Sequence, residues 1–199
     1  MLPSMVPKTP TRILTVILTN NIMPYNPDIH HRRSIRLPEY DYAAPGFYFV
    51  TLCVHGRLPL LGAIADGTVH LNAAGRMVEE WYHRCAEHFP DIECLEMVVM
   101  PNHFHCIWHN TGIDADANHT LSGEHTGSPL QRVVQWFKTM TTNAYIRGVE
   151  QHGWPTFDTR LWQRNYYEHI IRDQQSYEEI VTYILENPLR WHDDKLYVP

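Results

Sequence analysis

Residues 92–109 read IECLEMVVMPNHFHCIWH, two apolar runs broken by Pro101-Asn102. Proline has no N–H to give to a ladder, and asparagine tolerates turn conformations, so the segment cannot continue as one strand. It has to double back. The fold must therefore contain two neighbouring strands, Ile92–Met100 and His103–His109, joined by a tight turn.

The other elements can be placed around this pair. FYFVTLCV (Phe47–Val54) follows Pro45-Gly46 and is aromatic and β-branched, as a central strand is. Leu58–Asn72 carries turn signals at Gly62 and Asp66-Gly67 and predicts a short hairpin. Asn72 is placed to cap a helix, in which Met77, Val78, Trp81, Tyr82 and Cys85 recur on one face. Ser128 caps a second helix with Pro129 in its first turn, and Val133, Val134, Phe137, Met140 and Tyr145 lie along one side. Leu161–Arg172 predicts a further strand. In the last helix Ser176 is the expected cap, Glu179 completes a capping box and Pro188 ends the helix. The order strand, helix, strand, strand, helix, strand is the split β-α-β plan, an α+β ferredoxin-like fold. It predicts a four-stranded antiparallel sheet with helices on one face, the opposite face free, and an added C-terminal helix.

The first 30 residues show no periodicity and hold Pro3, Pro7, Pro10, Pro24 and Pro27; they are expected to be poorly ordered. Met23 offers an alternative start, which would make residues 1–22 a leader outside the fold, and residues 31–199 are expected to form a single domain. Residues 111–127 are polar and glycine-containing and predict a surface loop. Lys8, Arg12 and ILTVIL are mildly signal-like, but the apolar run is very short and no small-residue cleavage site follows. No apolar run reaches the ~18 residues of a membrane helix. Cys53, Cys85, Cys94 and Cys106 form no C-x-x-C pair, which argues against a zinc ribbon and predicts reduced thiols in a cytoplasmic protein.

A net charge of −6 argues against a nucleic-acid partner until it is resolved along the chain. Residues 1–36 are net +4 and residues 128–172 net +3, whereas residues 37–127 are net −9 and residues 173–199 net −4. Two basic segments in an acidic chain can make a local phosphate-binding surface, although each alone reads equally as a solvated run.

On a strand, residues i and i+2 share a face, so His103 and His105 point the same way and Phe104 points into the opposite layer. Their imidazoles can converge on one ion or simply be packed. His109 shares that face but lies ~13 Å from His105 at about 3.3 Å per residue, too far for the same ion. Two histidines leave a metal site incomplete. VTYILENP supplies candidates: Tyr183 and Asn187, at i and i+4, stack on one helical face. The Asn187 amide oxygen is a hard ligand suited to Mg²⁺ or Mn²⁺, and Tyr183 would bring a phenol beside the same ion. Tyr183 also belongs to an apolar stripe with Ile180 and Ile184, which packing alone explains. Tyr177 falls on another face of that helix, and Tyr166 and Tyr167 either pack or stack on a base.

VVMPNHFHCIW, with YNPDIHHRRSIRLPEYDY, PGFYFVTLCVHGR, LWQRNYYEHIIRD and YILENPLRW, resembles the REP-associated tyrosine transposases, of the single-tyrosine histidine–hydrophobic–histidine superfamily. The resemblance runs from Tyr25 onward and leaves out residues 1–22 and the 111–127 loop. It implies a ferredoxin-like enzyme that binds single-stranded or hairpin DNA, with His103 and His105 as metal ligands, Tyr183 as nucleophile and Asn187 as the polar residue one turn on. Larger relatives carry glutamine there, one methylene longer. The implied reaction is metal-dependent nicking and rejoining of one DNA strand through a 5′-phosphotyrosine, as in DNA transposition, without a nucleotide triphosphate. Some relatives are dimers with the tyrosine acting in trans; the REP-associated group suggests a monomer. Arg32, Arg33 and Arg36 would form a basic arm, and Arg164 and Arg172 would flank the last strand, as phosphate contacts. The competing reading is a non-catalytic ferredoxin-like nucleic-acid-binding protein, such as an inactive domesticated transposase. A metal-storage domain is a third.

Overall fold

A computed structural model describes residue 41, residues 44–112 and residues 128–198. Backbone contacts divide the chain into residues 1–34 and 35–199, and every described residue belongs to the second unit. The expectations for residues 1–30, for Arg32, Arg33 and Arg36, and for most of the 111–127 loop lie outside the described residues.

The elements in chain order are β1 (Gly46–Cys53), the hairpin β2 (Gly62–Ala65) and β3 (Thr68–Leu71), α1 (Ala73–His88), β4 (Ile92–Met100), β5 (His103–Asn110), α2 (Pro129–His152), β6 (Tyr167–Ile171) and α3 (Gln174–Glu186). A 3-10 segment, Asn187–Asp193, follows α3. The main sheet has the order β4-β5-β1-β6, with every neighbouring pair antiparallel. This is the expected α+β plan, and β1 is the central strand that the aromatic run predicts.

Alternation along the strands sorts their side chains into two layers. Tyr48, Val50 and Leu52 of β1 and Phe104, Cys106 and Trp108 of β5 face α1 and α2. Phe104 stacks on Phe137 of α2 with ring centroids 5.3 Å apart, and Tyr82 of α1 meets Phe104 edge-on at 5.4 Å. Burying each such ring stabilises by about 1.5–3 kcal/mol. The helices start where their caps predict: the Asn72 side chain accepts from Gly75 N–H at 2.9 Å, and the Ser128 hydroxyl accepts from Gln131 N–H.

Three expectations need correction. The second sheet face is not free: α3 covers part of it, burying Ile184 against Phe49, Ile107 and Ile171, with Ile180 and Val181 packed alongside. α3 is capped by Asp173, whose carboxylate accepts from Ser176 N–H at 2.8 Å, and not by Ser176 itself. The strand predicted over Leu161–Arg172 is paired only over Tyr167–Ile171, apart from an isolated bridge between Val54 and Trp162. In between, the carbonyls of Gln163 and Arg164 accept from Lys138 Nζ, so they are satisfied without a ladder. Pro188 does end the α-helix, but the chain keeps winding as the 3-10 segment. Among the described residues no helix is long and apolar enough to cross a membrane.

Candidate active site

The face beneath α3 carries the histidine pair. β5 sets His105 opposite Thr51 and His103 opposite Cys53, with both imidazoles on the α3 side of the sheet. Their ring centroids are 4.5 Å apart. Asn102, at the turn, fixes His103. The Asn102 amide nitrogen donates to the carbonyls of Leu196 (2.8 Å) and Arg57 (3.3 Å), which leaves its oxygen to accept from His103 Nδ1–H at 2.8 Å. The proton therefore sits on Nδ1, and His103 Nε2 offers a lone pair. Among the described residues this buried Nε2 has no hydrogen-bond partner. His105 Nδ1 lies 2.8 Å from the Thr51 hydroxyl, which can donate or accept, and its Nε2 faces Tyr183.

α3 brings Tyr183 to this point. Its hydroxyl lies 3.3 Å from His105 Nε2, and its ring meets Phe49 edge-on at 6.0 Å. One turn later, at the start of the 3-10 segment, Asn187 is buried, and its side-chain oxygen also lacks a partner among the described residues. Its amide nitrogen donates to the Asp194 carboxylate at 3.2 Å. The structure thus gathers two pairs that lie far apart in the chain, His103 with His105 and Tyr183 with Asn187.

Asp194 completes the group and was missed by the sequence reading. It lies in an irregular segment after the 3-10 winding, where no periodicity points to it. One carboxylate oxygen accepts from Leu196 N–H at 2.6 Å, and the other lies 3.8 Å from His103 Nε2. One ligand atom each from His103, His105 and Asp194 lie within 4.8 Å of one another. Burial, opposed by the Asp194 carboxylate, pushes the His103 pKa down to about 4. Burial and the neighbouring His103 push His105 well below the ordinary histidine value. Both imidazoles are therefore neutral at pH 7, and among the described residues Asp194 has no lysine or arginine within ion-pair distance. Two neutral imidazoles, an amide oxygen and an uncompensated carboxylate suit a divalent cation. Burial, reinforced by Asp194, raises the Tyr183 pKa, so its phenol keeps its proton at neutral pH.

The remaining candidates lie elsewhere. His109 is held by Glu93 at 2.8 Å and stacked on Phe47 at 4.0 Å. Tyr177 donates to the Glu96 carboxylate at 2.7 Å. Tyr166 packs against the helix-side core, whereas Tyr167 is exposed. Arg164 and Arg172 are exposed, and neither forms an ion pair among the described residues.

The chain is similar in sequence to the REP-associated tyrosine transposases. It is 22% identical over 153 residues to a Haemophilus influenzae protein named as a candidate member of that group, a match covering 75% of this chain and 74% of the other. An uncharacterised protein of the same organism is 39% identical over 183 residues, covering 87% of this chain and 97% of its own, and the two chains belong to one family. Two solved structures are also similar. One, described as a REP-associated tyrosine transposase bound to a REP hairpin, is 22% identical and matches 77% of this chain and 74% of its own with a TM-score of 0.49. The other, a Deinococcus radiodurans protein described as a transposase, is 15% identical and matches 77% and 96% with a TM-score of 0.42. No protein-family model matches the chain.

Proposed function

We propose that this protein is a metal-dependent DNA strand transferase that nicks and rejoins single-stranded or hairpin DNA through Tyr183. The observation that carries the reading is the Tyr183 hydroxyl 3.3 Å from a buried histidine pair, on a face that also holds the partnerless oxygen of Asn187. Similarity to a protein named as a candidate REP-associated tyrosine transposase supports it.

His103 Nε2, His105 Nε2, the Asp194 carboxylate and the Asn187 oxygen would hold a divalent ion, Mg²⁺ or Mn²⁺. Bound there, the ion supplies Lewis-acid polarisation of a phosphate oxygen and neutralises developing charge. Asn102 and Thr51 orient the two imidazoles. The Tyr183 oxygen attacks the scissile phosphorus, and the bond to the 3′-oxygen breaks. The phenol gives up its proton and the departing oxygen takes one up, leaving a 5′-phosphotyrosine and a free 3′-hydroxyl. Attack by a 3′-hydroxyl reverses the step, and the ester bond conserved in the phosphotyrosine makes a nucleotide triphosphate unnecessary. Tyr183 and its histidines meet within one chain, which supports action in cis by a monomer. Arg164 and Arg172, with Arg32, Arg33 and Arg36, would contact the DNA backbone.

The test is incubation of labelled hairpin DNA with the protein and Mn²⁺, followed by denaturing electrophoresis. A covalent adduct that disappears in Tyr183→Phe is expected. An adduct that persists in Tyr183→Phe refutes the nucleophile, and DNA binding without any adduct supports the non-catalytic reading.

A further inference from the structure

Tyr166 and Tyr167 are equivalent by residue type, but the structure separates them. Tyr166 packs against the core on the helix side. Tyr167 lies opposite Thr51, on the same face as His105, and is 57% exposed. The face is otherwise largely covered: Phe49, Ile107 and Ile171 lie buried beneath α3. Tyr167 stands at the margin of that cover on β6, an edge strand paired only with β1.

Phe49 links Tyr167 to the candidate site. Its ring contacts three others: His105 stacked at 5.3 Å, Tyr183 edge-on at 6.0 Å and Tyr167 edge-on at 6.3 Å. The exposed ring is thus held two ring contacts from the proposed nucleophile. Arg164 and Arg172 flank Tyr167 in sequence, whereas α3 on the same face belongs to the acidic segment 173–199. The sole acidic residue between Arg164 and Arg172 is Glu168, which lies opposite Val50 and so points to the other face. The segment 128–172 is net +3 in a chain of net −6.

We propose that Tyr167 is the stacking platform for an unpaired base next to the phosphate engaged by Tyr183. This rests on the function proposed above. Every base has a π-face, so the contact places the strand without selecting its sequence. It fixes the distance between one base and the reacting phosphorus, which positions the cut relative to the hairpin.

Binding is measured without chemistry in a Tyr183→Phe background. The probe is a dye-labelled DNA hairpin with a single-stranded tail of mixed sequence, alongside the same hairpin with an abasic tail, both in Mn²⁺. Losing one stacked base should weaken binding of the intact tail about 5- to 150-fold in Tyr167→Ala. Tyr167→Ala should lose little further on the abasic tail, whereas Tyr167→Phe and Tyr167→Trp should bind like the parent. The inference is overturned if Tyr167→Ala binds the intact tail as tightly as the parent, or is weakened equally on both tails. Tyr167→Phe weakened as much as Tyr167→Ala also overturns it, because the hydroxyl and not the ring would then carry the contact. A parent that binds neither hairpin overturns this inference and the proposed function together. A Tyr183-containing chain that forms no adduct, yet shows the Tyr167 effect on binding, overturns only the proposed function.

Discussion

Replacing Asn102 by alanine separates the stability of the turn from the chemistry of His103. The substitution removes three side-chain hydrogen bonds, to His103 Nδ1, Leu196 O and Arg57 O. At about 0.5–1.5 kcal/mol each, the expected loss is about 2–4 kcal/mol. For a chain of this size that is a fall in melting temperature of about 5–15 °C. Removing the group that orients a metal-binding histidine typically weakens metal binding about 10- to 100-fold. At Mn²⁺ one hundred times the wild-type dissociation constant, the ion should stabilise wild type by about 2.7 kcal/mol and the variant by about 0.4–1.4 kcal/mol. Melting curves with and without Mn²⁺ measure both quantities, and calorimetric titration supplies the dissociation constants. Asn102→Asp is the control: it keeps the acceptor for His103 and loses both donors, so it should lower stability and retain metal binding. If Asn102→Ala melts lower yet gains as much from Mn²⁺ as wild type, Asn102 only holds the turn, and the lone pair assigned to His103 Nε2 has no bearing on metal binding.

Asp194→Asn should weaken Mn²⁺ binding at least tenfold by calorimetry, because it removes the one negative charge among the proposed ligands; unchanged affinity would take Asp194 out of the site. Tyr183→Phe should abolish the covalent adduct but melt within about 1 kcal/mol of wild type, since it removes one long hydrogen bond and keeps the ring on Phe49. Gly75→Ala should destabilise by about 1–3 kcal/mol or more in denaturant titrations, because an added Cβ would lie 2.1 Å from the Leu61 carbonyl oxygen. Burial pushes the Lys138 pKa down to about 8 from an ordinary 10.5, so between these values the unfolded chain binds more protons than the native one. Lys138 therefore penalises the fold fully below about pH 8 and less as pH rises, and Lys138→Met should show a smaller gain in stability across that window than wild type.

Elements whose side chains repeat could be read directly. Alternation put His103 and His105 on one face, and Asn72 and Ser128 announced their helices because a cap acts on residues two or three positions away. Tyr183 and Asn187 could be paired from helical spacing alone. What escaped depends on contacts between distant segments. Asp194 reaches the site through an irregular stretch, so nothing in its neighbourhood marks it. Asn102 looked like a turn residue, and its part in orienting His103 needed Leu196 and Arg57 to occupy its amide nitrogen. The extra length predicted for the last strand came from apolar residues at Leu161 and Trp162, which are buried but join the sheet only through the isolated bridge to Val54. The cover that α3 lays over the second face follows from Ile180 and Ile184, whose stripe competed with the reading of Tyr183.

The contact between Tyr183 and His105 spans 78 residues of sequence, and the Asp194 carboxylate arrives later still. Between them the chain must complete α2 and add β6 to the edge of β1. Contacts of such long separation form only after the intervening loops have closed. A chain that has built only its first hairpins therefore holds the two histidines without Tyr183 beside them. Any capacity to break a DNA strand would appear at once, on completion of the fold, so that unfinished or locally opened copies of the protein would be harmless to the DNA around them.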